Sequence, residues 1–96
     1  MSKLTVNATI QARAGSEAAV RASLLQLLAP TRAEEGCVAY DLHQDLEDPA
    51  RFIFHETWES AEHLERHLAS AHITANRERI GELIESLDVR KLEKLG

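Results

Sequence analysis

One cysteine, two prolines, four glycines and four aromatic residues are all that this 96-residue chain holds of four informative residue classes. The lone Cys37 excludes an internal disulfide and any cysteine-rich zinc site, and points to a reducing compartment. Four dispersed glycines supply no phosphate-cradling loop, dinucleotide fingerprint or nucleophile elbow. The aromatics are too few for base-stacking platforms, and the formal net charge of -5 is unsuited to polyanions, Arg90-Lys91 being the only adjacent basic pair. No run approaches the roughly 18 apolar residues of a membrane span. Met1-Ser2-Lys3-Leu4-Thr5-Val6 enters an alternating pattern at once, without the apolar core of a signal peptide. The chain therefore reads as a soluble, cytoplasmic protein forming one domain over 1–96, with no room for a separate cofactor domain.

The hydrophobic pattern supplies the elements. Leu4, Val6, Ala8, Ile10 and Ala12 alternate with Thr5, Asn7, Thr9 and Gln11, as in a half-buried strand. After Ala14-Gly15, Ser16 stands at an N-cap position, and Val20, Leu24, Leu27 and Leu28 give a helix from about Glu17. Pro30 predicts a break near Ala29, then a short continuation to Glu35 that Gly36 stops. Val38, Tyr40 and Leu42 form a second strand ending at Glu47-Asp48-Pro49, and Arg51 to Glu59 a third, the two making a hairpin. Ser60 opens a second helix with Ala61, Leu64, Leu68 and Ala71 on its apolar face and an interruption near Ser70. Ile73, Ile80, Leu83, Ile84 and Leu87 extend a helical stripe, and Asp88 to Leu95 makes the last strand. The order βαββαβ is the α+β, ferredoxin-like arrangement, an antiparallel sheet with helices on one face. The third strand is largely apolar on both faces, so the open face is expected to meet a second copy of the sheet.

Chemistry concentrates in Phe54-His55-Glu56-Thr57-Trp58. Glu56 falls on a face otherwise made of Phe52, Phe54 and Trp58, so it must either find a hydrogen-bond donor or rise in pKa toward the range of a general acid or base. Trp58 is either core or a ligand platform. Four of the five histidines lie between His55 and His72, and imidazole is the usual proton carrier near neutrality. His63 and His67 share a helical face, but Glu65 is rotated away from both, so the zinc-protease pattern is absent and no metal site is expected. His67 borders the apolar stripe and leans toward the sheet as a candidate base, with His72 as an alternative. Asn7 is a strand residue facing away from Val6 and Ala8, and would hold an oxyanion only if that outer face lined a pocket. Cys37 has no adjacent cation to activate it.

Thr31-Arg32-Ala33-Glu34-Glu35-Gly36-Cys37-Val38-Ala39-Tyr40, then Asp48-Pro49, Phe52 to Trp58, Leu64, His67, Ser70 and His72, together resemble the antibiotic biosynthesis monooxygenase family, which includes small quinol monooxygenases. The Glu-x-Gly-Cys-x-x-Tyr, Glu-x-Trp and His-x-x-Ser-x-His elements carry the resemblance across essentially the whole chain. It implies a dimeric α/β barrel of two facing sheets, each subunit holding a small pocket between sheet and helices, and a reaction of O2 with a quinol or hydroxylated (poly)aromatic that needs no cofactor. For such a reaction the expected roles are His67 as base, His72 as its alternative, Asn7 on the oxyanion, Glu56 orienting a histidine or bracing the pocket, and Trp58, Phe54 and Tyr40 shaping an aromatic slot. A histidine base predicts activity rising across roughly pH 6 to 7.5. Relatives that degrade haem use an Asn, a Trp and a haem-ligating His. Asn7 matches the first, but His67 and Arg77 stand at the other two positions, so haem degradation is not expected. The competing readings are an isomerase or degrading enzyme for a small polar metabolite, which needs Arg and Lys around its pocket, and a non-catalytic small-molecule-binding dimer.

Overall fold

The computed structural model describes residues 3–96. Met1 and Ser2, part of the start read above as leaderless, lie outside them. Among the described residues the chain runs β1 (Leu4–Ala12), α1 (Glu17–Leu25), α2 (Leu28–Arg32), β2 (Cys37–Gln44), β3 (Arg51–Trp58), α3 (Ala61–Leu68), α4 (Ala71–Ile80), a short 3-10 turn (Gly81–Leu83) and β4 (Ile84–Leu92). The strands form one antiparallel sheet in the order β2-β3-β1-β4. This is the ferredoxin-like α+β fold expected from the pattern. No helix among the described residues is long and apolar enough to cross a membrane.

Alternation puts Val6, Ala8, Ile10 and Ala12 of β1 and Phe52, Phe54 and Trp58 of β3 on one face, where they are buried against Val20, Leu24, Leu27, Leu64 and Ile80 from the helical layer. Burying a large apolar side chain stabilises by about 1.5–3 kcal/mol, so this face holds the sheet to the helices. The other face carries Thr5, Asn7 and Thr9 beside Ile53, His55 and Thr57 in register. It is mixed in character, less apolar than the pattern of β3 suggested.

Four local expectations are corrected. The break in the first helix falls at Gln26–Leu27, ahead of the expected site near Ala29. Pro30 then lies in the first turn of α2, where its missing N–H would have had no helical partner. Val38 is 47% exposed, off the Tyr40 face, because the pairing slips between Cys37 and Ala39 and turns Cys37 inward. Leu68 is exposed while His67 is buried on the inner side of α3. The helical stripe stops at Ile80, and Leu83, Ile84 and Leu87 belong to the turn and to β4. The positions 80, 83, 84 and 87 fit helical spacing, but pairing along β1 satisfies the backbone of 84–92 instead.

Ser60 and Ser70 cap α3 and α4, accepting from the backbone N–H of His63 and Ile73, whereas Ser16 makes no such bond at α1. Gly36, between α2 and β2, adopts φ +84°, and its carbonyl accepts from Glu59 N–H at 2.8 Å. A Cβ there would overlap the His63 ring. The substitution Gly36→Ala is therefore expected to cost about 1–3 kcal/mol, read as a lower urea midpoint, while Gly15→Ala should cost only the backbone strain of its own φ of 88°, since its Cβ would meet open space.

Candidate functional site

The break at Ala69–Ser70 turns the chain between α3 and α4, and it brings His67 and His72, five residues apart, to the same side. Both reach Glu34 in the connection between α2 and β2. His67 Nδ1 donates to Glu34 Oε2 at 2.7 Å and His72 Nε2 donates to the same oxygen at 2.8 Å. The His67 side chain is 3% exposed and that of Glu34 16%. Glu34, His67 and His72 thus form a donor set within 4.8 Å of one another, a combination that can hold a divalent ion. The two short N–O distances are those of hydrogen bonds, so the cluster is satisfied by its own protons. His63 takes no part; its Nδ1 pairs with Ser60 Oγ at 2.7 Å.

The His67 ring packs tilted on Trp58, centroids 4.7 Å apart, and edge-on to Tyr40 at 5.3 Å. Tyr40 in turn stacks on Phe54 at 4.6 Å. Burial holds the His67 pKa below its ordinary value, against the opposing hydrogen bond and charge of Glu34. The ring is therefore neutral near pH 7. With Nδ1–H committed to Glu34, the lone pair is left on Nε2, which has no protein partner among the described residues.

Glu56 is 4% exposed, and the Trp58 indole N–H donates to its Oε1 at 2.8 Å. Burial raises its pKa to about 7 in spite of that bond, with the charge of Glu34 adding to the rise. Both alternatives left open for this carboxyl therefore hold together: it has a donor, and it titrates near neutrality. Burial, then the charge of Glu56, pushes the Tyr40 phenol well up, and burial followed by Glu34 and Glu56 raises the Cys37 thiol. Neither is an activated nucleophile.

Glu56, His67, Tyr40 and Phe54 share a cavity of about 300 Å³ between the sheet and the helices. Its walls are aliphatic: Ala8 and Ile10 below, Leu24 and Leu27 on one side, Ile73 and Ile80 on another. On the β4 side it is bounded by Leu87 and Val89, 63% and 40% exposed, so it opens to solvent there. Asn76 and Arg77 of α4 complete the lining.

Three residues assigned to the site from sequence do not line the cavity. Asn7 is on the opposite face of the sheet, accepting from His55 Nδ1 at 2.7 Å through its Oδ1, because strand alternation separates it from Val6 and Ala8. It cannot reach an oxyanion in this cavity. Trp58 is fully buried against His67 and off the cavity wall, so it braces the imidazole and Glu56 and forms no part of the slot. His72 stays behind the cavity wall, bonded to Glu34 and with its ring centroid 6.0 Å from that of His67. Sequence reasoning overlooked Glu34, although it is the first residue of the Glu-x-Gly-Cys-x-x-Tyr element, and it gave Asn76 no role.

A family model described as antibiotic biosynthesis monooxygenase matches residues 3–79. The chain is 35% identical over 83 residues to the Mycobacterium tuberculosis protein named Putative monooxygenase Rv0793, covering 86% of this chain and 81% of that one. The solved structure of Rv0793 superposes with a TM-score of 0.90 at 32% identity, over 99% of this chain and 97% of that one. The structure of PA3566 from Pseudomonas aeruginosa gives a TM-score of 0.95 at 36% identity, over 100% and 97%.

The Glu56 carboxyl generates a stability test. Its folded pKa of about 7 exceeds the ordinary 4.5, so the contribution of its neutral form is complete below pH 4.5 and lost as pH rises through 7. Glu56→Gln keeps an acceptor for Trp58 and cannot ionise. Its unfolding midpoint relative to the native chain is expected to rise between pH 5 and 8, by the equivalent of a few kcal/mol at pH 8; a constant difference would show that Glu56 ionises normally.

Proposed function

Because the chain belongs to the antibiotic biosynthesis monooxygenase family, we propose that it is a monooxygenase that oxidises a small quinol or hydroxylated aromatic with O2, without a bound cofactor. The observation that carries this reading is the single imidazole on the cavity wall, neutral, tied to Glu34 through Nδ1 and left with its lone pair on Nε2. Triplet oxygen reacts slowly with closed-shell organics, but a quinolate is electron-rich enough to give it an electron. The protein then has three tasks: to remove a proton, to keep water out and to return a proton to reduced oxygen.

In this reaction His67 Nε2 takes the hydroxyl proton, and the imidazolium so formed is supported by Glu34. One electron passes from the quinolate to O2, the two radicals join as a C–O bond, and the peroxide takes up a proton. Loss of water breaks the O–O bond and leaves a carbonyl, which tautomerises to the hydroxyquinone. Quinol and O2 give hydroxyquinone and water, the quinol supplying all four electrons, so no external reductant enters. The neutral Glu56 carboxyl is the proton donor to the peroxide, the role that its raised pKa suits. Tyr40 and Phe54 supply the flat wall. A cavity of about 300 Å³ is at the small end of ligand sites and suits one or two fused rings. A polar-metabolite isomerase would require several cations around its ligand; this lining offers Arg77 alone among mostly aliphatic walls.

Oxygen consumption by the metal-stripped protein with reduced naphthoquinones tests the proposal directly. Activity is expected, falling about 100-fold or more in His67→Ala; no uptake above that variant would overturn it. The rate profile is expected to rise below pH 6.5, lower than an ordinary histidine would give, and to fall as Glu56 ionises near pH 7. In Glu56→Gln the falling limb should disappear.

The same reading pairs two copies across their open sheet faces, supported by the half-buried Ile53 among the short side chains of Thr5, Thr9 and Thr57. Sedimentation at twice the chain mass is expected, and Ile53→Asp should shift it to the monomer. A native chain that sediments as a monomer would remove the dimer from the proposal.

A further inference from the structure

The two polar residues of the lining that the oxidation leaves unused, Asn76 and Arg77, are adjacent on α4 and enter the cavity together. Asn76 is held from behind. Arg79 Nε donates to the buried Ser23 hydroxyl at 2.9 Å, and that hydroxyl donates to Asn76 Oδ1 at 2.7 Å. Asn76 Oδ1 already accepts this bond, and its NH2 group is free of protein partners among the described residues. Arg77 is exposed, and among the described residues its guanidinium has neither an ion pair nor a side-chain hydrogen bond. Two donor groups, one cationic, thus stand unpartnered in an otherwise aliphatic part of the cavity.

His67 lies in the last turn of α3, whereas Asn76 and Arg77 stand in the second half of α4, so the imidazole and the two donors border the cavity from different helices. The carboxylate of the site lies at His67, where Glu34 accepts from its Nδ1, whereas the α4 end offers the Arg77 cation. A negative substituent is therefore repelled from the imidazole end and drawn to the α4 end. A planar carboxylate suits that end best, since guanidinium binds it through two parallel N–H bonds.

We infer that the cavity selects a hydroxylated arene bearing a carboxylate on the side remote from the hydroxyl, with Arg77 and the Asn76 amide holding the carboxylate while the hydroxyl meets His67. The inference rests on the cavity being the substrate site of the proposed oxidation, and it narrows that substrate class to aromatic hydroxy acids.

Calorimetric titration of the intact protein with 6-hydroxy-2-naphthoate and with 2-naphthol, which lacks the carboxylate, provides the test. The acid is expected to bind about tenfold tighter or more, the range for a hydrogen-bonded charge pair. In Arg77→Gln, with folding checked by its unfolding midpoint, that gap should close to within about twofold, and Arg77→Lys should retain part of it. Equal affinity for the two compounds, a gap that survives Arg77→Gln, or no binding of either overturns the inference. Because binding is measured without turnover, a chain that prefers the acid but consumes no oxygen would sustain this assignment and overturn the oxidation, and the reverse result would do the opposite.

Discussion

A single carboxylate oxygen, Glu34 Oε2, accepts from both His67 and His72, and the geometry of the site depends on that shared contact. Glu34 precedes β2, whereas the two histidines straddle the corner between α3 and α4. One oxygen therefore ties the α2–β2 connection to the helical corner and sets the tautomer of the buried ring. Without it His67 would lose the partner that directs its Nδ1 proton, in surroundings where an unpaired polar atom costs about 1–3 kcal/mol. The glycine beside it serves the same corner. Gly36 leaves room for His63 at the start of α3, and its positive φ turns the chain from Glu34 into β2.

The two titratable groups on the cavity wall are displaced in opposite directions by one cause. Burial lowers the pKa of His67 and raises that of Glu56 to about 7, so just below pH 7 the imidazole is neutral while the carboxyl still holds its proton in most molecules. A neutral imidazole is a base and a neutral carboxyl is an acid, which gives an apolar pocket a proton acceptor and a proton donor without placing a net charge in it. Trp58 connects the pair, its indole bonded to Glu56 and its ring packed on His67. The small number of aromatics is less restrictive than it first looks, because Tyr40, Phe54 and Trp58 are gathered around this one position.

Most of the architecture could be read from alternation. Leu4 to Ala12 have a period of two that only a half-buried strand satisfies, Phe52, Phe54 and Trp58 share one face of β3, and Ser60 and the interruption at Ser70 mark the two ends of α3. Where reading failed, two patterns fitted the same residues. Ile80, Leu83, Ile84 and Leu87 suit helical spacing, yet the free edge of β1 claims Ile84 and Leu87 as part of a strand. The bulge at Val38 left no mark in the apolar pattern, because Cys37 and Val38 are both apolar and either can face inward. Likewise Leu68 is the more apolar residue of its pair, but the neighbouring His67 has partners in Glu34 and Trp58 that compensate its burial.

By itself the sequence determined the fold class, the inward face of β1 and β3, and the presence of a carboxyl in an apolar strand face, since each follows from local periodicity and from the cost of burying charge. Tertiary structure decided which polar groups meet. Asn7, one residue from Val6, is separated from the cavity by the thickness of the sheet, whereas Glu34 and His67, distant in sequence, come within 2.7 Å. Side-chain chemistry can be read along a chain, but convergence depends on the angle between helices and on strand order, and contacts between distant segments set both.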